Sequence, residues 1–104
     1  MFMTTSHTVE GHPITNYLGL VSGEAVAGIN MFKDIGAGFR NLVGGRSQGY
    51  EDELIKARES ALAEMAQRAQ QMGATGVVGI QLDYSSIGDG NMLLVACTGT
   101  AVTF

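Results

Sequence analysis

Three residues near the amino terminus have side chains that bind metals, namely His7, Glu10 and His12, which lie within six residues of one another. Imidazole and carboxylate groups are common metal ligands, but this spacing matches no closed tetrahedral motif. The sequence therefore favours solvated loop histidines. A metal site formed when a cyclic oligomer gathers copies of one ligand around its axis stays open as an alternative.

A second candidate is the segment Gly44-Gly45-Arg46-Ser47, which precedes a predicted helix. Glycines leave backbone N–H groups accessible, and the planar fork of Arg46 suits a carboxylate or a phosphate. However, Glu51, Asp52 and Glu53 occupy the first turns of the same helix and would repel a highly charged phosphate. We therefore predict a tight turn in which Arg46 pairs with an acid of its own or a neighbouring chain, with a small anionic ligand as the alternative.

Isolated polar residues on apolar strands are the remaining candidates. Cys97 lies among apolar residues of the last strand, where desolvation raises the pKa of a thiol, so we predict a packing residue and not a metal ligand. Glu24 and Asp83 are possible general bases. Neither has a histidine nearby in the sequence, and pairing with an arginine or a backbone amide is favoured. No catalytic residue and no cofactor is predicted, although a weak enzyme using Glu24 or Asp83 stays an alternative.

Hydrophobic periodicity predicts the elements that position these residues. A long strand is predicted over Ile14–Val26 and a short helix over Asn30–Leu42. Apolar residues at steps of three and four predict a long amphipathic helix over Ser47–Met72, in which Glu64 and Arg68 form an i,i+4 pair. Two more strands follow, one after Gly76 and one over 92–103, joined as an antiparallel hairpin. The predicted fold is α+β, with one long helix on a small antiparallel sheet.

The two last strands are apolar to an unusual degree. Alternation places Val78, Ile80, Leu82 and Tyr84 on one face of the first of them. Neither face of the final strand is hydrophilic, so a single covering helix leaves an apolar face without a cover. Self-association is the simplest way to cover it.

The composition of the chain sets limits on its class. Its 104 residues predict one domain spanning 1–104, and charged residues make up only 15%, where about a quarter is usual. A net charge of −4 without clustered Lys or Arg excludes a nucleic-acid partner, and no apolar run is long enough for a membrane span. The single cysteine and the lack of Lys and Arg in residues 1–20 favour the cytoplasm.

Several stretches of the chain resemble the YbjQ-like family of small bacterial and archaeal proteins, which carries a "putative heavy-metal-binding" label. The stretches are GEAVAGINMFKDIGAGFRNLVGGRSQGYE at 23–51, KAR at 56–58, GATGVVGIQLDY at 73–84 and GTAV at 99–102. The resemblance implies a β-α-β-β unit of the dodecin-subunit-like kind, with the helix packed on a curved antiparallel sheet, assembling into a homopentamer. The residues that match the family motif are Glu24, Asn30, Arg40, Gly44, Gly45, Arg46, Tyr50 and Glu51.

This set of oxygen, guanidinium and glycine groups suits a subunit interface or a small polar ligand better than a soft metal. From these observations we expect a cytoplasmic homo-oligomeric binding or structural module whose main partner is a second copy of itself.

Overall fold

The fold is a computed structural model that describes residues 1–27, 48–87 and 92–104; within these, the side chains of residues 48–51 and 87 are not described. The architecture is α+β, with one helix packed on one face of a four-stranded mixed sheet. The elements are β1 (Phe2–Met3), β2 (Asn16–Ala27), α1 (Gln48–Gln71), β3 (Gly76–Ile87) and β4 (Met92–Thr103). The predicted helix over Asn30–Leu42 lies outside the described residues.

The sheet has the order β1-β3-β4-β2, so β4 is central and β2 forms one edge. The predicted hairpin is confirmed, since β3 and β4 pair antiparallel, and β4 also pairs antiparallel with β2. The prediction of a wholly antiparallel sheet is wrong because β1 pairs in parallel with the start of β3. This pairing joins strands far apart in the chain, and a two-residue strand is too short to show a periodicity.

The helix packs mainly on β2 and β4 through a stripe of buried apolar side chains. Ala57, Ala61, Met65 and Ala69 are all buried, at the four-residue spacing predicted from the sequence. Opposite them, Gly23 of β2 has no side chain, so the helix backbone rests directly on the strand. The helix ends at Gln71, and Gly73 after it has the predicted left-handed conformation; the Gly73 N–H donates to the Gln70 carbonyl and the Ala74 N–H donates to the Ala69 carbonyl.

A β-bulge in β3 changes which residues face the helix. The register advances by three residues from Val78 to Gln81 while β4 advances by two, and Gly79 at this point has a φ of +63°. Val77 and Ile80 therefore both belong to the helix-side core. Val78 pairs with Thr100 on the opposite face, so the prediction that it shares a face with Ile80 is wrong.

On the face of the sheet opposite the helix, aromatic rings of the described residues cover one end, and apolar side chains of β2 are exposed. Phe104 contacts Gly76 there, and the rings of Phe2 and His12 pack on Phe104 at centroid distances of 6.3 and 5.6 Å. On the same face, Leu20, which pairs with Thr100, is 86% exposed, and Val26 toward the other end is 54% exposed. Among the described residues, no helix is long and apolar enough to cross a membrane.

Candidate functional site

The most developed polar arrangement in the described residues is centred on Arg68, at the sheet edge formed by β2. Arg68 lies in the last turn of α1, and its Nη1 atom donates to the backbone oxygen of Ser22 and to Oε2 of Glu24, both at 3.0 Å. Its Nη2 atom pairs with Glu64 one helical turn earlier. One guanidinium thus joins the helix to the backbone and to a side chain of the edge strand.

The cluster has an excess of one negative charge. Arg68 contributes one positive charge and the two carboxylates of Glu24 and Glu64 contribute two negative charges, and all three side chains are about half exposed. The predicted Glu64–Arg68 pair is confirmed. Because two carboxylates already face the guanidinium, Arg68 does not offer uncompensated positive charge to an anion. The pairing of Glu24 with an arginine is the structural role that the sequence favoured over a catalytic one.

An apolar groove of about 390 Å³ lies next to Arg68. Its lining residues come from β2, β4 and the end of α1 and are Leu20, Val21, Ser22, Arg68, Met72 and Thr98. A second groove, of about 260 Å³, follows β2 toward the start of α1 and includes Val26, Glu53 and Lys56. In the described part of the chain, two partly apolar grooves therefore lie along the edge strand.

Cys97 lies beneath this edge, in the contact between α1 and the sheet. Its thiol is 1% exposed and donates toward the carbonyl oxygens of Ala61 at 3.4 Å and Gly23 at 3.5 Å. Desolvation by burial raises the pKa of the Cys97 thiol above its ordinary value of 9.0. The thiol is therefore protonated at neutral pH, as expected of a packing residue.

The three metal-ligand candidates of the amino-terminal segment lie apart from one another. His7 lies against the Gly79 bulge, where the Ser6 carbonyl accepts a hydrogen bond from the Gly79 N–H at 2.7 Å. His12 packs on Phe104, and Glu10 is exposed. Within residues 1–27, 48–87 and 92–104 of one chain, no three His, Cys, Asp or Glu side chains are grouped to hold a metal ion.

Most of the predicted interface or ligand residues lie beyond what can be described. Asn30, Arg40, Gly44, Gly45 and Arg46 fall within residues 28–47, outside the described ranges. Tyr50 and Glu51 belong to the first turn of α1, but nothing is described of their side chains. The assignment of the 44–51 segment to an interface or an anion site stays a prediction.

The sequence profile of the YbjQ family, described as "Putative heavy-metal-binding", matches residues 1–104. The chain belongs to the YbjQ family. It is 64% identical over 104 residues to a UPF0145 protein of Corynebacterium jeikeium, covering 100% of this chain and 99% of that protein. UPF0145 proteins of Bifidobacterium longum and Listeria monocytogenes are 58% and 55% identical over 103 residues, covering 98% of this chain and 94% of each relative.

Structural similarity extends to a crystal structure from Pediococcus pentosaceus, described as a protein with unknown function of the DUF74 family. It matches with a TM-score of 0.72 at 17% identity, covering 100% of this chain and 97% of that one. At this identity the match supports the fold alone. The YbjQ assignment predicted from the sequence motifs is confirmed by the profile and the relatives.

The contact of Arg68 with Glu24 is the part of the edge cluster that the sequence did not predict. The i,i+4 spacing indicated Glu64 as its partner, but Glu24 is 44 residues away in the chain. Only the packing of α1 against β2 brings this arginine and this glutamate together. No local pattern in the sequence of this YbjQ protein indicates the contact between Arg68 and Glu24.

Proposed function

We propose that the chain is a homo-oligomeric binding or structural module that performs no catalysis of its own. The observation that carries the proposal is the exposure of large apolar side chains on β2. Tyr17, Leu20 and Val26 are 69%, 86% and 54% exposed on a single strand. Apolar patches of this kind, rimmed by polar residues, are typical of protein–protein contacts.

Charged residues make up only 15% of the sequence, where about a quarter is usual, and this low fraction supports the same proposal independently. Leu94 and Ala96 of β4 pair with Val26 and Glu24 and continue the apolar surface across the sheet on the side opposite the helix. Contact with a second copy would remove this surface from water at a gain of about 25 cal/mol for each Å² of apolar area. A second copy of the chain is the simplest partner for this surface, because it is available wherever the protein is made.

The finer features of the proposal come from the family resemblance. We propose five subunits, a dodecin-subunit-like arrangement of β2, α1, β3 and β4, and residence in the cytoplasm. The interface or a small polar ligand site within it would use the motif residues from Glu24 to Glu51, above all Arg46. The ligand class that such groups favour is a small polar or anionic molecule.

The test of the proposal is the molar mass in solution, measured by light scattering after size-exclusion chromatography. Leu20→Glu is the informative variant, because a residue that is 86% exposed costs the isolated subunit little when it becomes charged. We expect wild type to give an oligomer and Leu20→Glu a smaller species with unchanged circular dichroism. Gln67→Glu places the same charge on an exposed position of the helix and should assemble like wild type. A monomeric wild-type protein at micromolar concentration would contradict the proposal.

Metal binding is the second candidate function, and the observation that favours it is the family description. The ligands would be His7, Glu10 and His12, or carboxylates repeated around an oligomer axis. Native mass spectrometry during titration with Zn²⁺, Ni²⁺ or Cu²⁺ tests this candidate. A stoichiometric ion that disappears in the double variant His7→Ala/His12→Ala would support the amino-terminal site, and no retained ion in wild type would argue against the function.

A further inference from the structure

Strand β2 presents one row of backbone groups to β4 and a second row to the edge of the sheet at which no other described strand lies. In an antiparallel pair, alternate residues direct both their N–H and C=O groups away from the partner strand. The Ser22 carbonyl is one of the outward groups, since it accepts a hydrogen bond from Arg68 of the helix. Leu20, Glu24 and Val26 each lie an even number of residues from Ser22. Their backbone N–H and C=O groups therefore face the same edge.

Such an edge is a template for pairing with an extended chain. It belongs to a strand of 12 residues, and the exposed side chains of Leu20 and Val26 lie on either side of Ser22. Long edge strands with apolar neighbours invite strand addition, and proteins commonly protect them with charges and β-bulges. Both devices are present in β2.

Arg68 supplies the protecting charge, and the β-bulge lies near the start of β2. Arg68 occupies the Ser22 carbonyl near the middle of the open edge, and Glu24 and Glu64 hold the guanidinium there from two sides. A register shift between Tyr17 and Gly19 distorts β2 near its amino-terminal end. An incoming strand would have to displace Arg68 from the Ser22 carbonyl and disturb its contact with Glu24.

We propose that Arg68 protects the β2 edge against strand addition by a second copy of this chain. Ser22 lies close to the centre of β2, so two copies related by a two-fold axis could pair antiparallel around it if the guanidinium were absent. This role is independent of the assembly through the sheet face proposed above. In this role Arg68 prevents a contact between two copies and does not form one.

The experiment compares Arg68→Ala with wild type by sedimentation velocity and thioflavin T fluorescence over a range of protein concentrations. We expect Arg68→Ala to form larger species than wild type as concentration rises, with a severalfold increase in fluorescence. Arg68→Lys keeps a charge but cannot make the same paired contacts, and should be intermediate. Arg58→Ala removes the same charge from α1 at a position that lines neither of the two grooves beside β2, and should match wild type.

A folded Arg68→Ala protein that sediments like wild type and does not increase thioflavin T fluorescence would overturn the proposal, as would association that is weaker than in wild type. If Arg68→Ala does not fold, Glu24→Gln/Glu64→Gln releases the arginine instead and should show the same increase. Its control is Glu10→Gln/Glu59→Gln, which makes the same change in net charge at two exposed positions. Equal behaviour of the two double variants would also overturn the proposal.

Discussion

A Cβ atom built on Gly23 would lie 2.0 Å from the carbonyl oxygen of Ala61 and 2.8 Å from the backbone nitrogen of Met65. Both contacts are with helix backbone, which cannot rotate away as a side chain can. The separation between α1 and β2 is therefore fixed by the absence of a side chain at position 23. Ala61, Met65 and Cys97 are buried around this contact, so any change in separation would open the core.

We predict that Gly23→Ala destabilises the fold by about 3 kcal/mol or more, at the upper end of the range for overpacked cores. The helix would have to move by more than an ångström to admit the methyl group. The measurement is the free energy of unfolding in urea. Gly11→Ala is the matched control, because nothing lies within 4 Å of its Cβ position while its φ of +80° is unfavourable for alanine. The control should cost about 1–2 kcal/mol, and an equal cost for both variants would contradict the prediction.

Burial of the Cys97 thiol predicts a loss of stability at high pH. Its pKa is raised by desolvation in the folded protein, whereas the unfolded chain has the ordinary value of 9.0. Above that pH the unfolded chain releases the proton while the folded chain retains it, so the unfolded state is favoured. The stability is complete below pH 9.0 and falls as the pH rises beyond it.

The measurement is the free energy of unfolding of wild type and Cys97→Ala between pH 7 and pH 10. At neutral pH the alanine variant should be less stable by about 1–2 kcal/mol because it loses volume and the thiol contacts. This difference should shrink above pH 9.0, since alanine does not ionise. A constant difference over the whole range would show that the thiol ionises equally in both states. Metal content should be the same in both proteins.

The prediction for Arg46 addresses the family motif. Arg46→Ala should weaken assembly, because the planar guanidinium is suited to a bidentate contact with a carboxylate of the adjoining subunit. Arg46→Lys should restore assembly only in part, since an ammonium group cannot make two parallel hydrogen bonds. Molar mass as a function of concentration provides the measurement. Assembly equal to wild type together with loss of a bound anion would identify a ligand site instead.

The regular elements could be predicted from the sequence because their patterns are local. The four-residue spacing of Ala57, Ala61, Met65 and Ala69 defines one helix face without knowledge of its partner. The run from Met92 to Thr103 is predicted with the bounds that the structure gives to β4. The turn-forming residues Gly88, Asp89, Gly90 and Asn91 of the sequence predict the hairpin.

Features that depend on pairing between distant segments could not be predicted. The bulge at Gly79 lies in a run of apolar residues, so alternation gave no sign that Val77 and Val78 exchange faces. The parallel pairing of Phe2 with Gly76 and the contact of Arg68 with Glu24 have no local signature either. Each depends on where the packed helix and sheet place segments that are remote in the chain.

The central position of β4 has a consequence for folding during synthesis. β2 and β3 both hydrogen-bond to β4, yet β4 is the last of the described strands to leave the ribosome. Until residues 92–103 emerge, β2 has no antiparallel neighbour among the described strands. During that time α1 can pack only on an unpaired β2. Sheets that depend on pairing remote segments form slowly and expose apolar strands in the meantime. The nascent chain therefore carries β2 and most of β3 without their shared antiparallel partner until residues 92–103 have been synthesised.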